Sequence, residues 1–167
     1  MRCLLKILAI FILSLPLGVQ AKEIKYNHEN ITISEIKEKV DFKVFSPEKI
    51  PNDWTLEIKT YPSDEKDNIT QFKLHYMDHN DENLMVGILE KKERPTDVIK
   101  RAPETERIDI NGNIGYFHEW YGNGELDKKG RKITGGILTW IQEGTYLEMN
   151  SLDIDKEQIL EIARSMK

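Results

Sequence analysis

The chain has 167 residues, 24 basic and 29 acidic, for a formal net charge of −5. That length suits one domain with a real core. The acidic balance argues against a nucleic-acid partner, which needs a basic face to displace counterions from phosphate, and the interspersed Lys, Glu, Asp and Asn read as a solvated surface rather than a membrane-binding one.

Arg2 and Lys6 precede an apolar stretch from Ile7 to Leu15, then Pro16 and a small-residue exit at Val19-Gln20-Ala21. This is the layout of a secretory leader. The stretch is about a dozen residues, where a span of the hydrocarbon core needs roughly twenty, so residues 1–21 are read as a cleaved signal peptide that leaves no stable membrane span. Cys3, the only cysteine, lies before the apolar core, where a lipoprotein acyl anchor is not carried. Cleavage removes it, so the mature chain forms no disulfide and depends on packing. The expected location is secreted or extracytoplasmic.

A polar lead-in (22–32) is followed by one domain, 33–167. Thr32 or Ser34 can cap a short helix with Ile33, Ile36 and Val40 near one face. Pro47 and Pro51 disfavour helix and predict an extended crossing. Trp54, Leu56 and Ile58, then Phe72, Leu74 and Tyr76, alternate with polar residues as two antiparallel strands with one wet face, joined by a polar turn over 62–68. After the turn Asp78 to Asn83, Leu84 to Leu89 is apolar on both faces, as in a central strand. Pro95 and Pro103 bracket a charged excursion. Asn111-Gly112 predicts a tight hairpin between Ile108-Asp109-Ile110 and Ile114 to Tyr121. A Gly- and Lys-rich loop, Gly122 to Gly135, leads to a second hairpin, Gly136 to Ile141 and Thr145 to Met149, turning at Glu143-Gly144. Asp155 and Gln158 form a capping box for a terminal helix whose apolar side holds Ile159, Leu160, Ile162, Ala163 and Met166. The sum is α+β, with an antiparallel sheet of about seven strands, a short N-terminal helix and a C-terminal helix that covers one sheet face.

Chemistry-bearing motifs are sparse. His75 and His79, four residues apart on a strand pattern, would stand about 13 Å apart, too far for one ion. Asp78, Asn80 and Glu82 imitate the start of a calcium loop, but Asn83 stands where glycine is needed and Leu89 where a bidentate glutamate is needed, so a polar turn is the better reading. His118 and Glu119 are strand neighbours and point to opposite faces. No serine lies in a nucleophile elbow, and no glycine loop can cradle phosphate. No catalytic residue, metal or cofactor is therefore assigned. Carboxylates of the Asp78 to Glu82 region or Glu119 would carry a hydrolase reading. Asn30 and Asn68 open glycosylation triplets that matter only in a eukaryotic secretory path.

The aromatics form the one constellation to weigh. Tyr116, His118 and Trp120 share one strand face, Phe117 and Tyr121 the other, and Leu138 and Trp140 oppose Ile137 and Ile141. Apolar residues on both faces read as ordinary core burial or as a face shielded by the first helix, a curled sheet or a greasy ligand.

The Ser46-Pro47 to Pro51 crossing before the Trp54 strand, the Asn111-Gly112 hairpin, the Trp140 to Tyr146 hairpin and the closing helix from Ile159 to Met166 together resemble an uncharacterised secreted domain family of Firmicutes. That domain of unknown function is also found at the extracytoplasmic end of membrane-tethered anti-sigma-like proteins. The resemblance runs from about Val40 onward and implies a curved antiparallel sheet, broadly like lipoprotein-carrier and periplasmic sigma-regulator folds that bind lipids or signal peptides in a concave face. It carries no catalytic motif, and the lack of a second apolar span here departs from the tethered members. The expected function is an exported, non-enzymatic binding module for a lipid, peptide or envelope component, contacting a hydrophobic ligand or envelope protein through Tyr116, Trp120 and Trp140. The competing expectation is a structural or protein-interaction domain that recognises its partner through a sheet edge or the Gly122 to Gly135 loop.

Overall fold

A computed structural model of the chain describes residues 24–25, 31–61, 69–93, 104–120 and 122–167. The leader over 1–21, the two triplet asparagines, the polar turn over 62–68, Pro95, Pro103 and Tyr121 lie outside the described residues.

The elements run α1 (Ile33–Lys39), β1 (Thr55–Tyr61), β2 (Gln71–Met77), β3 (Leu84–Lys92), β4 (Glu106–Ile110), β5 (Asn113–Glu119), β6 (Gly136–Gln142), β7 (Thr145–Ser151) and α2 (Lys156–Arg164). The strands form one open antiparallel sheet in the order β1-β2-β3-β7-β6-β5-β4. Three consecutive strands build one half, and β7 returns from the second hairpin to pair with β3 and join the halves. The strand expected to be central, β3, is interior, while β7 stands in the middle of the order.

Both predicted hairpins form. Asn111 and Gly112 take positive φ (51° and 85°), as do Glu143 and Gly144 (46° and 81°), the geometry a two-residue hairpin turn requires. Thr32 caps α1 in a reciprocal box with Glu35, and Asp155 caps α2 in one with Gln158.

Cross-strand register puts Leu56, Ile58, Phe72, Leu74, Val86, Ile88, Leu147, Met149, Leu138, Trp140 and Phe117 on one face, all buried. Three pieces cover that face. α2 contributes Ile159, Leu160, Ile162 and Ala163; α1 contributes Ile33 and Ile36 to the same apolar cluster; the extended crossing between α1 and β1 contributes Val44 and Phe45. Phe42 stacks on Phe72 with ring centroids 6.0 Å apart. The crossing is zipped to the C-terminus: Ser46 N–H donates to the Lys167 carbonyl and Lys167 N–H to that of Ser46, each at 3.1 Å. The first helix therefore reinforces the covered face and leaves the other alone.

One residue breaks the apolar pattern of this core. β3 runs on past Leu89, and its alternation carries Glu90 inward, where it is fully buried. Glu90 Oε2 accepts the Phe45 N–H at 2.9 Å, and Oε1 has no partner among the described residues. Burial pushes its carboxyl up to about 8, against the smaller opposing effects of that hydrogen bond and of Lys37. Folding thus takes up a proton between the ordinary value of 4.5 and about 8. Stability is fully present below that window and falls as pH rises through it, by at most about 1.4 kcal/mol per pH unit. Glu90→Gln is expected to flatten this decline; thermal melts of both proteins from pH 5 to 9 check it, and an equal slope in the two would refute the assignment.

Candidate functional site

The second face of the sheet carries mixed side chains in register. One row runs Lys73, Leu89, Glu148, Thr139, Tyr116 and Arg107 across β2, β3, β7, β6, β5 and β4. The next runs His75, Gly87, Asn150, Ile137 and His118. Tyr116, Ile137, Ile141 and Tyr146 are partly buried by their neighbours, and Ile114 is 46% exposed. Lys91 sits 4.6 Å from the centroid of the Tyr146 ring, whose hydroxyl donates to Glu148 at 3.1 Å. Burial, and after it Lys59, holds the His75 imidazole below its ordinary value. Both helices and the crossing are engaged on the opposite face.

At one end the face opens into a cleft of roughly 320 Å³. Leu84 from β3, Asn150 and Ser151 from β7, Leu152 and Asp153 beyond it, Asn83 from the β2–β3 turn, and Trp120 border it, with Lys129 and Arg131 from the 122–135 segment. Trp120 follows β5, and its indole N–H donates to the Ser151 carbonyl at 2.5 Å, which fixes the ring as a wall. The Ser151 hydroxyl donates to the Met85 carbonyl at 2.5 Å and accepts the Asp153 and Ile154 N–H groups. Gly135 permits this corner, because a Cβ there would overlap the Ser151 carbonyl that receives the indole.

The 122–135 segment is a small ordered arm. Ile133 N–H donates to Glu125 and Asp127 N–H to Arg131, while Gly130 turns at φ +78°. The Asp127 carboxylate accepts the Lys129 and Arg131 N–H groups. The Arg131 guanidinium reaches Asp127 at 2.9 Å, Asp153 at 3.0 Å and the side-chain amide oxygen of Asn83 at 3.2 Å, tying the arm to the stretch after β7 and to the β2–β3 turn. The hydrogen bonds and charge of Arg131 hold Asp127 below the usual carboxylate range.

The residues expected to make one contact surface are not brought together. Trp140 is fully buried on the covered face, with Leu147 and Gly115 as cross-strand neighbours. Tyr116 lies on the second face, opposite Thr139, and Trp120 lies beyond the strand at the cleft. Trp140 is corrected to core: it alternates in phase with Leu138, and that phase faces the helices. Asn150, Leu84, Leu152 and Arg131 went unread as site residues because long-range folding alone assembles them. Gly87 was readable, since a lone glycine inside a strand marks close approach; here the Asn150 amide oxygen would lie 3.2 Å from its Cβ.

Other candidate groups resolve locally. Asp78 accepts the Asn80 and Glu82 N–H groups and the Asn83 side-chain amide, which hold its carboxyl at about 2, with the Asn83 side chain the largest cause. Its oxygens organise the turn. His118, Glu119, Glu104 and Glu106 border a hollow of about 160 Å³, and among the described residues His118 Nδ1 is buried without a hydrogen-bond partner. Among the described residues no group of three or more His, Cys, Asp or Glu could hold a metal ion, and no helix is long and apolar enough to cross a membrane.

Residues 44–166 match the family described as Domain of unknown function (DUF4367). The chain belongs to that family. The match starts in the crossing and ends at Met166, which bridges back to Pro47, so the DUF4367 unit is the crossing, all seven strands and α2, with α1 ahead of it. No curated protein and no solved structure matches the chain.

Substituting Gly135 by alanine is expected to cost about 1–3 kcal/mol through overpacking, seen as a lower melting temperature together with a red shift of the Trp120 fluorescence. A melt unchanged from wild type would remove Gly135 from the cleft's construction.

Proposed function

We propose that the protein is an exported, non-enzymatic binding module that holds a lipid or peptide of the envelope against its second sheet face, with one end of the ligand in the cleft beside Trp120. The observation that carries this reading is the unequal treatment of the two faces. Among the described residues all the covering elements lie on one, while the other carries Tyr116, Ile137, Ile141 and a 46% exposed Ile114, with a cleft walled by Leu84, Leu152 and Trp120 at the end away from Ile114. Partly accessible aromatic and aliphatic side chains interspersed with polar groups, leading into a cleft, are a composition that ligand sites use.

Export is supported by the leader-like residues 1–21. The resemblance to secreted Firmicutes domains points the same way, to a Gram-positive envelope. A non-catalytic role is supported by the internal use of Asp78, Asp127 and Asp153 in turns and ion pairs; Glu82, at the cleft, and Glu119, in the hollow beside His118, make no ion pair or hydrogen bond to a basic partner among the described residues.

Native mass spectrometry of protein from an exporting Gram-positive host is expected to show an adduct. Ile114→Lys and Tyr116→Ser should lose it with little change in melting temperature. Trp140→Ala should instead cost about 3–5 kcal/mol of stability, as loss of a core ring does. A wild-type protein without an adduct, or one whose adduct survives both face substitutions, would overturn the reading.

A further inference from the structure

The arm over 122–135 has an unusual tip. Leu126 is 68% exposed, more than any other large apolar residue described, and it is held there by a bridge to Lys132. Lys132 opposite it and Lys128 and Lys129 within three residues of it in the chain are exposed and have no salt-bridge partner among the described residues. The arm's remaining cation, Arg131, is bound to Asp127 and Asp153, and Glu125 is the one uncompensated acid. The chain as a whole carries −5, so the arm is a positive point on a negative body. Its stiffness comes from Asp127 inside the turn and from Arg131 at the base, so the tip is presented in one geometry at no further ordering cost.

We propose that this arm docks on an anionic lipid bilayer, with Leu126 entering the boundary between headgroups and acyl chains and Lys128, Lys129 and Lys132 resting on lipid phosphates. Charge complementarity selects the surface and orients the molecule, because the acidic remainder is repelled by the same membrane that draws the arm in. The exposed leucine selects a bilayer over a soluble polyanion, which would leave it in water. Docking also turns the cleft mouth, bordered by Lys129, toward the headgroups. The proposal stands whatever the sheet face binds.

The test is sedimentation of the protein, as an exporting host releases it, with vesicles of phosphatidylcholine alone or mixed with phosphatidylglycerol, at low and high salt. Binding is expected only to the mixed vesicles and is lost at high salt. Each lysine-to-glutamine change at 128, 129 and 132 should weaken it about fivefold, and Leu126→Ser about tenfold, all with unchanged melting. No binding to the mixed vesicles, or binding indifferent to these four substitutions, overturns the proposal. Loss with the lysine variants alone, with full competition by soluble polyphosphate and no effect of Leu126→Ser, also overturns it and assigns the arm to a soluble anionic polymer.

Discussion

Ser46 and Lys167, far apart in the chain, exchange two backbone hydrogen bonds, and the covering layer of the sheet depends on that exchange. The crossing is held down at one end by the apolar contacts of α1 and at the other by the C-terminal residues that follow α2. Glu48 N–H also bonds the Ser165 carbonyl, and Lys49 N–H the Ser165 hydroxyl. Helix, crossing, tail and helix thereby form one continuous lid over one face. Among the described residues the apolar cover lies there, and the second face has its cross-strand contacts.

That asymmetry explains the placement of the candidate site. A face over which none of the described residues forms a layer keeps partly accessible aromatics and aliphatics, and polar neighbours such as Lys73, Glu148 and Asn150 keep it compatible with water. Depth arises only where something rises above the sheet plane. The arm supplies one wall, the β2–β3 turn another, and the ordered stretch after β7 a third. Arg131 connects all three, through Asp127 within the arm, Asn83 in the turn and Asp153 beyond β7. A partly buried guanidinium with planar partners on several sides is a better joint than an exposed lysine pair, because its fork fixes direction as well as distance.

Glu90 shows the same layer from below. Its carboxyl takes the Phe45 N–H, a donor that an extended crossing would otherwise bury without an acceptor. The cost is a desolvated acid kept protonated by burial, so the crossing's attachment to β3 is linked to proton uptake rather than to an ion pair.

Much of this architecture is visible in the amino-acid order. Period-two alternation, Asn111-Gly112, Glu143-Gly144, the prolines at 47 and 51, the cap at Thr32 or Ser34 and the Asp155–Gln158 capping box specify strands, hairpins, crossing and helices, because each depends on φ preferences or on groups within a few residues. The aromatic site was only partly visible. Alternation separated Tyr116 from Phe117 and Trp140 from Ile141 correctly, yet it could not say which phase faced the helices, since both carried apolar side chains. Tertiary structure decided that by putting α1, α2 and the crossing on one side. It also fixed how the arm, which the sequence already marks as a Gly- and Lys-rich loop, is presented: the turn at Gly130, the Leu126–Lys132 bridge and the ties of Arg131 to Asp153 and Asn83 hold it in one place. Local chemistry thus determined the elements and marked the Gly- and Lys-rich loop, and long-range packing, which no short stretch of sequence encodes, determined which face was covered and how that loop was anchored.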